Sequence, residues 1–273
     1  MYTDSHNHTC HFSSDAEMSI SDLLGACRKN NIKRIVITEH YDMDYPHPEE
    51  PSQIFDIDQY VEAFAVWKKL CPSDLELNMG IELGWQPHLA SSIDKIAASY
   101  DFDSIILSKH IFEGKDVFYY PECYKIYETS ELHRKYIESL AEMAEKCNNY
   151  DIIGHYDYIN RYCKKRKIKV MYDDCPEAFD RLFEVIISKN KSLEVNTKSI
   201  HKAMQKKNED YMPDSKILLR YKEMGGKMIT LGSDSHTPNT LGIHFDITGE
   251  YLKSLGFTDN TYFVKRKPFF EKL

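Results

Sequence analysis

The run Ile32-Lys33-Arg34-Ile35-Val36-Ile37-Thr38, followed at once by Glu39-His40, decides how this chain is read. β-Branched residues dominate a segment too short for an independent helix, so it is predicted as a strand. Its end delivers a carboxylate and an imidazole. The same unit recurs in Leu77–Leu83, Phe102–Leu107, Ile152–Ile153, Leu193–Asn196 and Lys227–Leu231, and an opening strand near Tyr2–His6 completes a set of seven.

Helical spacing fills the intervals. Ser19 opens a helix carrying Leu23, Leu24 and Cys27 that ends near Asn30-Asn31. Asp58–Leu70 places Tyr60, Val61, Phe64 and Trp67 on one face, and Thr129–Asn148 does so with Leu132, Tyr136, Leu140, Met143 and Cys147. Pro176–Ser188 starts with proline in its first turn, and Pro213–Met224 stops at Gly225-Gly226. Strands alternating with helices in this way predict a mainly parallel sheet. No repeat, low-complexity tract or Pro/Gly/Ser-rich linker interrupts it, so residues 1–273 are expected to form one domain.

A chain of 273 residues can bury a core without crosslinks. Its net charge of −8 argues against a chain that coats nucleic acid or anionic lipid, since both call for a basic field. Hydrophobic residues at 42% and aromatic residues at 12% mark a globular composition. No stretch approaches the roughly 18 apolar residues of a membrane span. The opening Met1-Tyr2-Thr3-Asp4-Ser5-His6 has neither the basic region nor the apolar core of a secretory leader, so a cytoplasmic location is expected. The seven cysteines are scattered without a C-x-x-C pair, which fits reduced thiols better than disulfides or a thiolate zinc site.

The polar residues after each apolar run carry the functional reading. In chain order they are His6-Asn7-His8, Thr38-Glu39-His40, Gly80-Ile81-Glu82-Leu83-Gly84, Ser108-Lys109-His110, Gly154-His155-Tyr156-Asp157 and Gly232-Ser233-Asp234-Ser235-His236. In a parallel barrel these strand ends share one rim, where loops build the site, so their placement favours closure into a barrel. Imidazole with carboxylate is a ligand set for Zn, Mn or Fe, whereas Mg and Ca prefer oxygen alone. Positions i and i+2 of a strand point the same way, so His6 and His8 can grip one ion together. A lone histidine is more often structural. Six at corresponding strand ends, joined by Glu82 and Asp234, point to metal. His11, His47, His88, His133, His201 and His244 stand apart from this set, and His47 and His133 are assigned structural roles.

These motifs resemble the PHP superfamily, named for polymerase and histidinol phosphatase. Gly84-Trp85-Gln86-Pro87-His88, Gly154-His155-Tyr156-Asp157 continuing to Arg161, and Glu194-Val195-Asn196-Thr197 resemble its histidinol-phosphate phosphatases. The resemblance spans His6 to His236. It implies a distorted (β/α)7 TIM-like barrel holding three divalent ions. Carried over, His6, His8, Glu82 and Asp234 hold one ion; Glu82 bridges to a second held by His110 and His155; Asp15, His40 and His236 hold the third. Spacing alone leaves Asp4 and Asp42 as alternatives to Asp15.

Such ions neutralise a phosphoryl group and lower the pKa of bound water to about 7, so hydroxide attacks phosphorus and no nucleophilic side chain is needed. The sequence has no G-x-S-x-G, P-loop or dinucleotide fingerprint. Asp234 and His236 are both candidates to protonate the leaving group. Glu39 and Asp157 are candidates to orient the metal-binding histidines. Arg161 is expected to grip the phosphate bidentately, and Gln86, His88, Lys109, Asn196 and Lys198 complete the expected substrate contacts. Tyr119-Tyr120 is weighed as a cap, and Lys164-Lys165-Arg166-Lys167 is read as solvated surface. The resemblance thus implies hydrolysis of L-histidinol phosphate to L-histidinol and phosphate, a late step of histidine biosynthesis, with no nucleic-acid or membrane partner. The alternatives are a PHP phosphoesterase for another small ester or nucleotide, and a metal-binding protein without turnover. Amidohydrolases also open with H-x-H, but bridge their metals with a modified lysine where this chain has Glu82.

Overall fold

The computed structural model of the protein describes residues 2–47, 53–163 and 168–273; the basic run 164–167 lies outside them. Its elements, in chain order, are β1 (Tyr2–Asp4), α1 (Ile20–Lys29), β2 (Ile32–Tyr41), α2 (Ile57–Leu70), β3 (Glu76–Gly84), α3 (Ala90–Ser99), β4 (Ser104–Ser108), β5 (Ile111–Phe112) and β6 (Lys115–Asp116). There follow α4 (Cys123–Ile126), α5 (Thr129–Lys146), β7 (Ile152–Ile153), α6 (Pro176–Ser188), β8 (Ser192–Asn196), α7 (Thr197–Gln205), α8 (Ser215–Glu223), β9 (Ile229–Gly232), α9 (Phe245–Ser254), β10 (Asp259–Val264) and β11 (Lys267–Lys272).

Seven parallel strands form one sheet in the order β1-β2-β3-β4-β7-β8-β9. The sheet nearly closes: Ser5 N donates to Leu231 O at 3.1 Å and His8 N to Ser235 O at 2.9 Å, so the segment after β1 meets the end of β9. The Asp4 carboxylate fastens this seam by accepting from Ser233 N and Gly242 N at 2.9 and 3.0 Å. The fold is the distorted seven-stranded barrel that the resemblance implies.

Period-two alternation divides each strand between two environments. Ile35, Ile37, Ile81, Leu83, Ile105, Leu107, Leu193 and Val195 join the main core with the helices. The alternate residues face the axis. Ile106 and Ile152 pair across β4 and β7 and form a separate cluster with Phe263 of β10. Higher on the axis the residues turn polar: the register sets His40 of β2 beside Glu82 of β3, and Glu82 beside Ile106 of β4. The sequence reading puts His40 after its strand, whereas β2 continues through Tyr41, so both ligand candidates are held by backbone ladders rather than by loops.

Local signals explain the helices. Ser19 and Asp22 form a reciprocal capping box at the start of α1, and Asn31 past its end takes a left-handed φ of 58°. Asp214 caps α8, which starts at Ser215 rather than Pro213. Among the described residues no helix is long and apolar enough to cross a membrane. All seven cysteines are free thiols.

The β10–β11 hairpin, absent from the sequence reading, covers the opposite end of the barrel from the polar rim. Leu231 N donates to Asn260 Oδ1, Thr230 Oγ1 to Thr261 O and Thr3 N to Glu271 Oε1, each within 2.7–2.9 Å. Phe263 is thereby driven into the floor, and shortening it leaves a cavity. Phe263→Ala is expected to lower unfolding free energy by about 3–5 kcal/mol, while Phe270→Ala, exposed on the same hairpin, should change it by less than about 0.5 kcal/mol. Urea denaturation of both variants checks this.

Candidate metal centre

Glu82 is fully buried and lies at the centre of the rim. Its Oε1 is 2.8 Å from His155 Nε2 and 3.3 Å from His110 Nε2; its Oε2 is 2.7 Å from His40 Nδ1, 3.3 Å from His6 Nε2 and 3.6 Å from His8 Nε2. Five imidazoles from four strand ends thus surround one carboxylate. Asp234, held at a left-handed φ of 49°, brings Oδ1 within 3.4 Å of His8 Nε2 and 3.9 Å of His6 Nε2. A third group sits nearer solvent: Asp15 Oδ2 is 3.1 Å from His236 Nε2 and 3.7 Å from His40 Nε2, and the two ring nitrogens are 3.3 Å apart. All nine residues of the expected ligand set therefore converge on one cluster.

The alternatives to Asp15 have other tasks. Asp4 fastens the barrel seam, and Asp42 Oδ1 accepts from His110 Nδ1 at 2.8 Å. Glu194 does the same for His6, accepting from Nδ1 at 2.7 Å, and its other oxygen takes His155 N at 2.5 Å. Sequence reasoning quoted Glu194 within a motif without giving it this task; period-two counting along β8 could have found it, because Leu193 and Val195 face the helices. Glu39, expected to orient a histidine, acts through Ser13: the hydroxyl donates to Glu39 Oε2 at 2.6 Å and lies 3.3 Å from His8 Nδ1. Asp157 instead supports Arg161, by way of the Ser199 hydroxyl. Gly84 and Gly232 are where a Cβ would strike the Asp42 and Glu194 carboxylates, so these outer carboxylates need glycine beside them.

The donor set fits cations. His6 Nε2 and His8 Nε2 are buried without hydrogen-bond partners, and His40 Nδ1 and Glu82 Oε2, though 2.7 Å apart, are not aligned for a hydrogen bond, an expensive state unless another group satisfies them. Triads His6/His8/Glu82, Glu82/His110/His155 and His8/His40/His236 each bring three donor atoms within 4.8 Å of one another. Burial would raise the Glu82 carboxyl, but His6, His110 and His40 hold it well below the usual range. Burial and the Arg161 charge push His155 down to about 4, leaving a neutral donor.

Above the cluster opens a cavity of about 340 Å³. Arg161 and Lys198 stand at its inner end. Arg161 Nη1 pairs with Asp234 Oδ2 at 2.5 Å and its Nε donates to Ser199 Oγ, while Nη2 is buried with no partner. Lys198 Nζ lies 3.1 Å from both Asp234 Oδ1 and His236 Nδ1. Tyr158, Tyr162, Phe118 and Tyr119 form an aromatic wall; the Phe118 ring meets those of Tyr119 and Tyr162 edge-on at 4.6 and 4.8 Å.

Four expected substrate contacts lie outside the cavity lining. Gln86 donates to Met43 O and Asp44 O, and His88, exposed, pairs with Asp44. The loop after Gly84 turns down against residues 43–44, away from the cavity. Lys109 points outward because the residue after it, His110, points in; its ammonium lies 4.7 Å from the Trp85 ring, facing a groove beside α5 and α6. Asn196 does not line the cavity; it caps α7 and donates to Asp234 Oδ2 at 3.4 Å. Tyr119 lines the cavity, whereas Tyr120 stacks on His47 at 4.0 Å. His133 is a structural tie between Asp174 and Asn160.

A parallel barrel whose strand ends gather imidazoles and carboxylates around buried, unsatisfied donor atoms is a metal-site α/β barrel. The chain belongs to the PHP domain family, whose model matches residues 4–198. It is 31% identical to the "probable histidinol-phosphatase" of Clostridium acetobutylicum over 90% of each chain. It is 26% identical to the histidinol-phosphatase of Lactococcus lactis subsp. lactis, over 97% of this chain and 95% of that one. The crystal structure of the Lactococcus enzyme, complexed with zinc, L-histidinol and phosphate, superposes with a TM-score of 0.83 and covers 98% of both chains.

Glu82→Gln is expected to remove most bound metal, measured by elemental analysis after reconstitution with zinc. Glu194→Gln should retain the site but weaken zinc affinity roughly 10–100-fold by releasing the His6 ring, read by competition with a chelator.

Proposed function

We propose that this protein hydrolyses L-histidinol phosphate to L-histidinol and inorganic phosphate, as a cytoplasmic enzyme of histidine biosynthesis, and that residues 1–273 act as one unit. The polarity of the cavity carries this reading: a cationic end against the donor cluster, and an aromatic end suited to an imidazole-bearing alcohol. Similarity over nearly the whole chain to relatives named for this reaction supports it. So does likeness to an enzyme complexed with zinc, L-histidinol and phosphate.

The nine clustered residues would hold three divalent ions: one on His6, His8, Glu82 and Asp234, a second on Glu82, His110 and His155, and a third on Asp15, His40 and His236. Bound ions there supply charge neutralisation for the phosphoryl group and an acidified water; Zn, Mn and Fe all suit such donors.

The chain's own residues provide positioning and proton transfer. Arg161 offers the free Nη2 to a phosphoryl oxygen while Nη1 remains on Asp234, and Lys198 adds a second positive charge at the same end. Burial raises the Asp234 carboxyl, but Lys198, His6 and Arg161 outweigh it and keep it well below the carboxylate range. Burial and Lys198 lower His236. Asp234 is therefore ionised and His236 neutral before reaction. Asp234 would take the proton from attacking water and return it to the alcohol oxygen as the P–O bond breaks; His236, 3.6 Å away, would do so only through a ring nitrogen that no ion occupies. The aromatic wall limits water at the organic end. The net charge of −8 supports a small-molecule substrate over nucleic acid.

Phosphate release over a panel of phosphomonoesters, with zinc or manganese supplied, is expected to be fastest for L-histidinol phosphate. Equal or faster turnover of nucleotides, or no turnover, would overturn the reading. Arg161→Ala should raise KM roughly 10–100-fold, the equivalent of one lost charge-assisted hydrogen bond; an unchanged KM would remove Arg161 from the phosphate.

A further inference from the structure

Asp116 is a buried carboxylate in the cavity wall, away from the metal-site donors. It is the second residue of the two-residue strand β6, which pairs with β5 just after His110. Its Oδ1 accepts from Phe118 N at 2.8 Å and Tyr158 Oη at 3.1 Å, and its Oδ2 accepts from Tyr45 Oη at 2.8 Å. Three neutral donors thus fill three of the roughly four lone-pair positions of a carboxylate. The remaining position belongs to Oδ2. Among the described residues no lysine, arginine or histidine forms an ion pair with this carboxylate. A buried charge left without a counter-charge is costly, and proteins normally pair it.

The other carboxylates lining the cavity are engaged: Asp15 and Asp234 with histidines and cations, Asp42 with His110. Asp116 is the exception, and its position is informative. The Tyr158 ring packs against His155 and His110 at 5.0 and 5.2 Å between centroids, and its hydroxyl reaches Asp116. One tyrosine side chain therefore separates the donor cluster from a carboxylate that has no ion-pair partner among the described residues. Phe118, half exposed, follows Asp116 by two residues and presents an apolar ring at the same end.

We infer that Asp116 is a specificity-determining residue that binds a protonated nitrogen in the organic half of the substrate, so that the enzyme selects phosphate esters carrying both a cation and an aromatic ring. This inference rests on the function proposed above and names the group that reads the alcohol. The incoming cation supplies the counter-charge that no described residue provides, while the three neutral donors keep the carboxylate fixed and aimed.

The test compares L-histidinol phosphate with phenyl phosphate, an aromatic ester without a cation, in wild-type protein and in Asp116→Asn, which keeps the size of the side chain. The ratio of kcat/KM for the two esters is expected to fall at least tenfold in Asp116→Asn, mostly through KM for L-histidinol phosphate, with phenyl phosphate changed less than about threefold. Calorimetric titration with the product L-histidinol should weaken in parallel, whereas titration with inorganic phosphate should not. An equal loss on both esters would make Asp116 a structural knot, and an unchanged ratio would remove it from recognition; either overturns the inference. Should Asp116→Asn not fold, wild-type protein decides: the inference requires the phosphate ester of the deaminated alcohol or of the ring-neutral amino alcohol to lose at least tenfold against L-histidinol phosphate, and it fails if neither does. Wild-type protein that does not hydrolyse L-histidinol phosphate at all would overturn the proposed function instead.

Discussion

A carboxylate buried among five imidazoles is the constraint on which this structure turns. Glu82 cannot be solvated, and its neighbours hold lone pairs with nowhere to go. Without cations the cluster would combine desolvated charge with unsatisfied donors, two of the costliest conditions a core can contain. Much of the surrounding architecture makes sense as support for it. Backbone ladders fix His40 and Glu82 side by side, outer carboxylates orient His6 and His110, and Asp4 fastens the seam where the first and last strands bring His8 and Asp234 together.

The same alternation that builds the core builds the site. Odd positions of the central strands carry aliphatic residues to the helices, and even positions line the axis, apolar below and ionisable above. Phe263 closes the lower end with Ile106 and Ile152, which excludes water from beneath the polar cluster. The hairpin therefore contributes to the electrostatics of the rim although it lies at the far end of the barrel.

Six of the seven strands were legible as compact aliphatic runs, whereas β1 is Tyr-Thr-Asp, and the site was legible because six of the strand ends carry chemically distinctive residues. Helices α3 and α7 were harder to read. Ala90–Ser99 is short and rich in alanine and serine, and Thr197–Gln205 starts directly from β8 with no turn to announce it. The outer carboxylates were only partly visible: Asp42 and Glu39 were noticed by proximity, but which histidine each serves depends on side-chain direction in three dimensions. Gln86, His88 and Lys109 show the opposite error. Each lies close in sequence to a donor, yet a turn at Gly84 or the pleat after Ser108 sends it to another face. Asp116 could not be singled out at all, since its meaning lies in having no ion-pair partner among the described residues.

The central claim is that imidazole and carboxylate groups from distant parts of the chain share their cations in one cluster. X-ray absorption at the zinc edge of reconstituted protein addresses it most directly. The expected spectrum has a nitrogen and oxygen shell at about 2.0–2.2 Å without sulfur, together with metal–metal scattering at about 3.5–4 Å. A shell dominated by sulfur near 2.3 Å, or isolated zinc with no neighbouring metal, would contradict it.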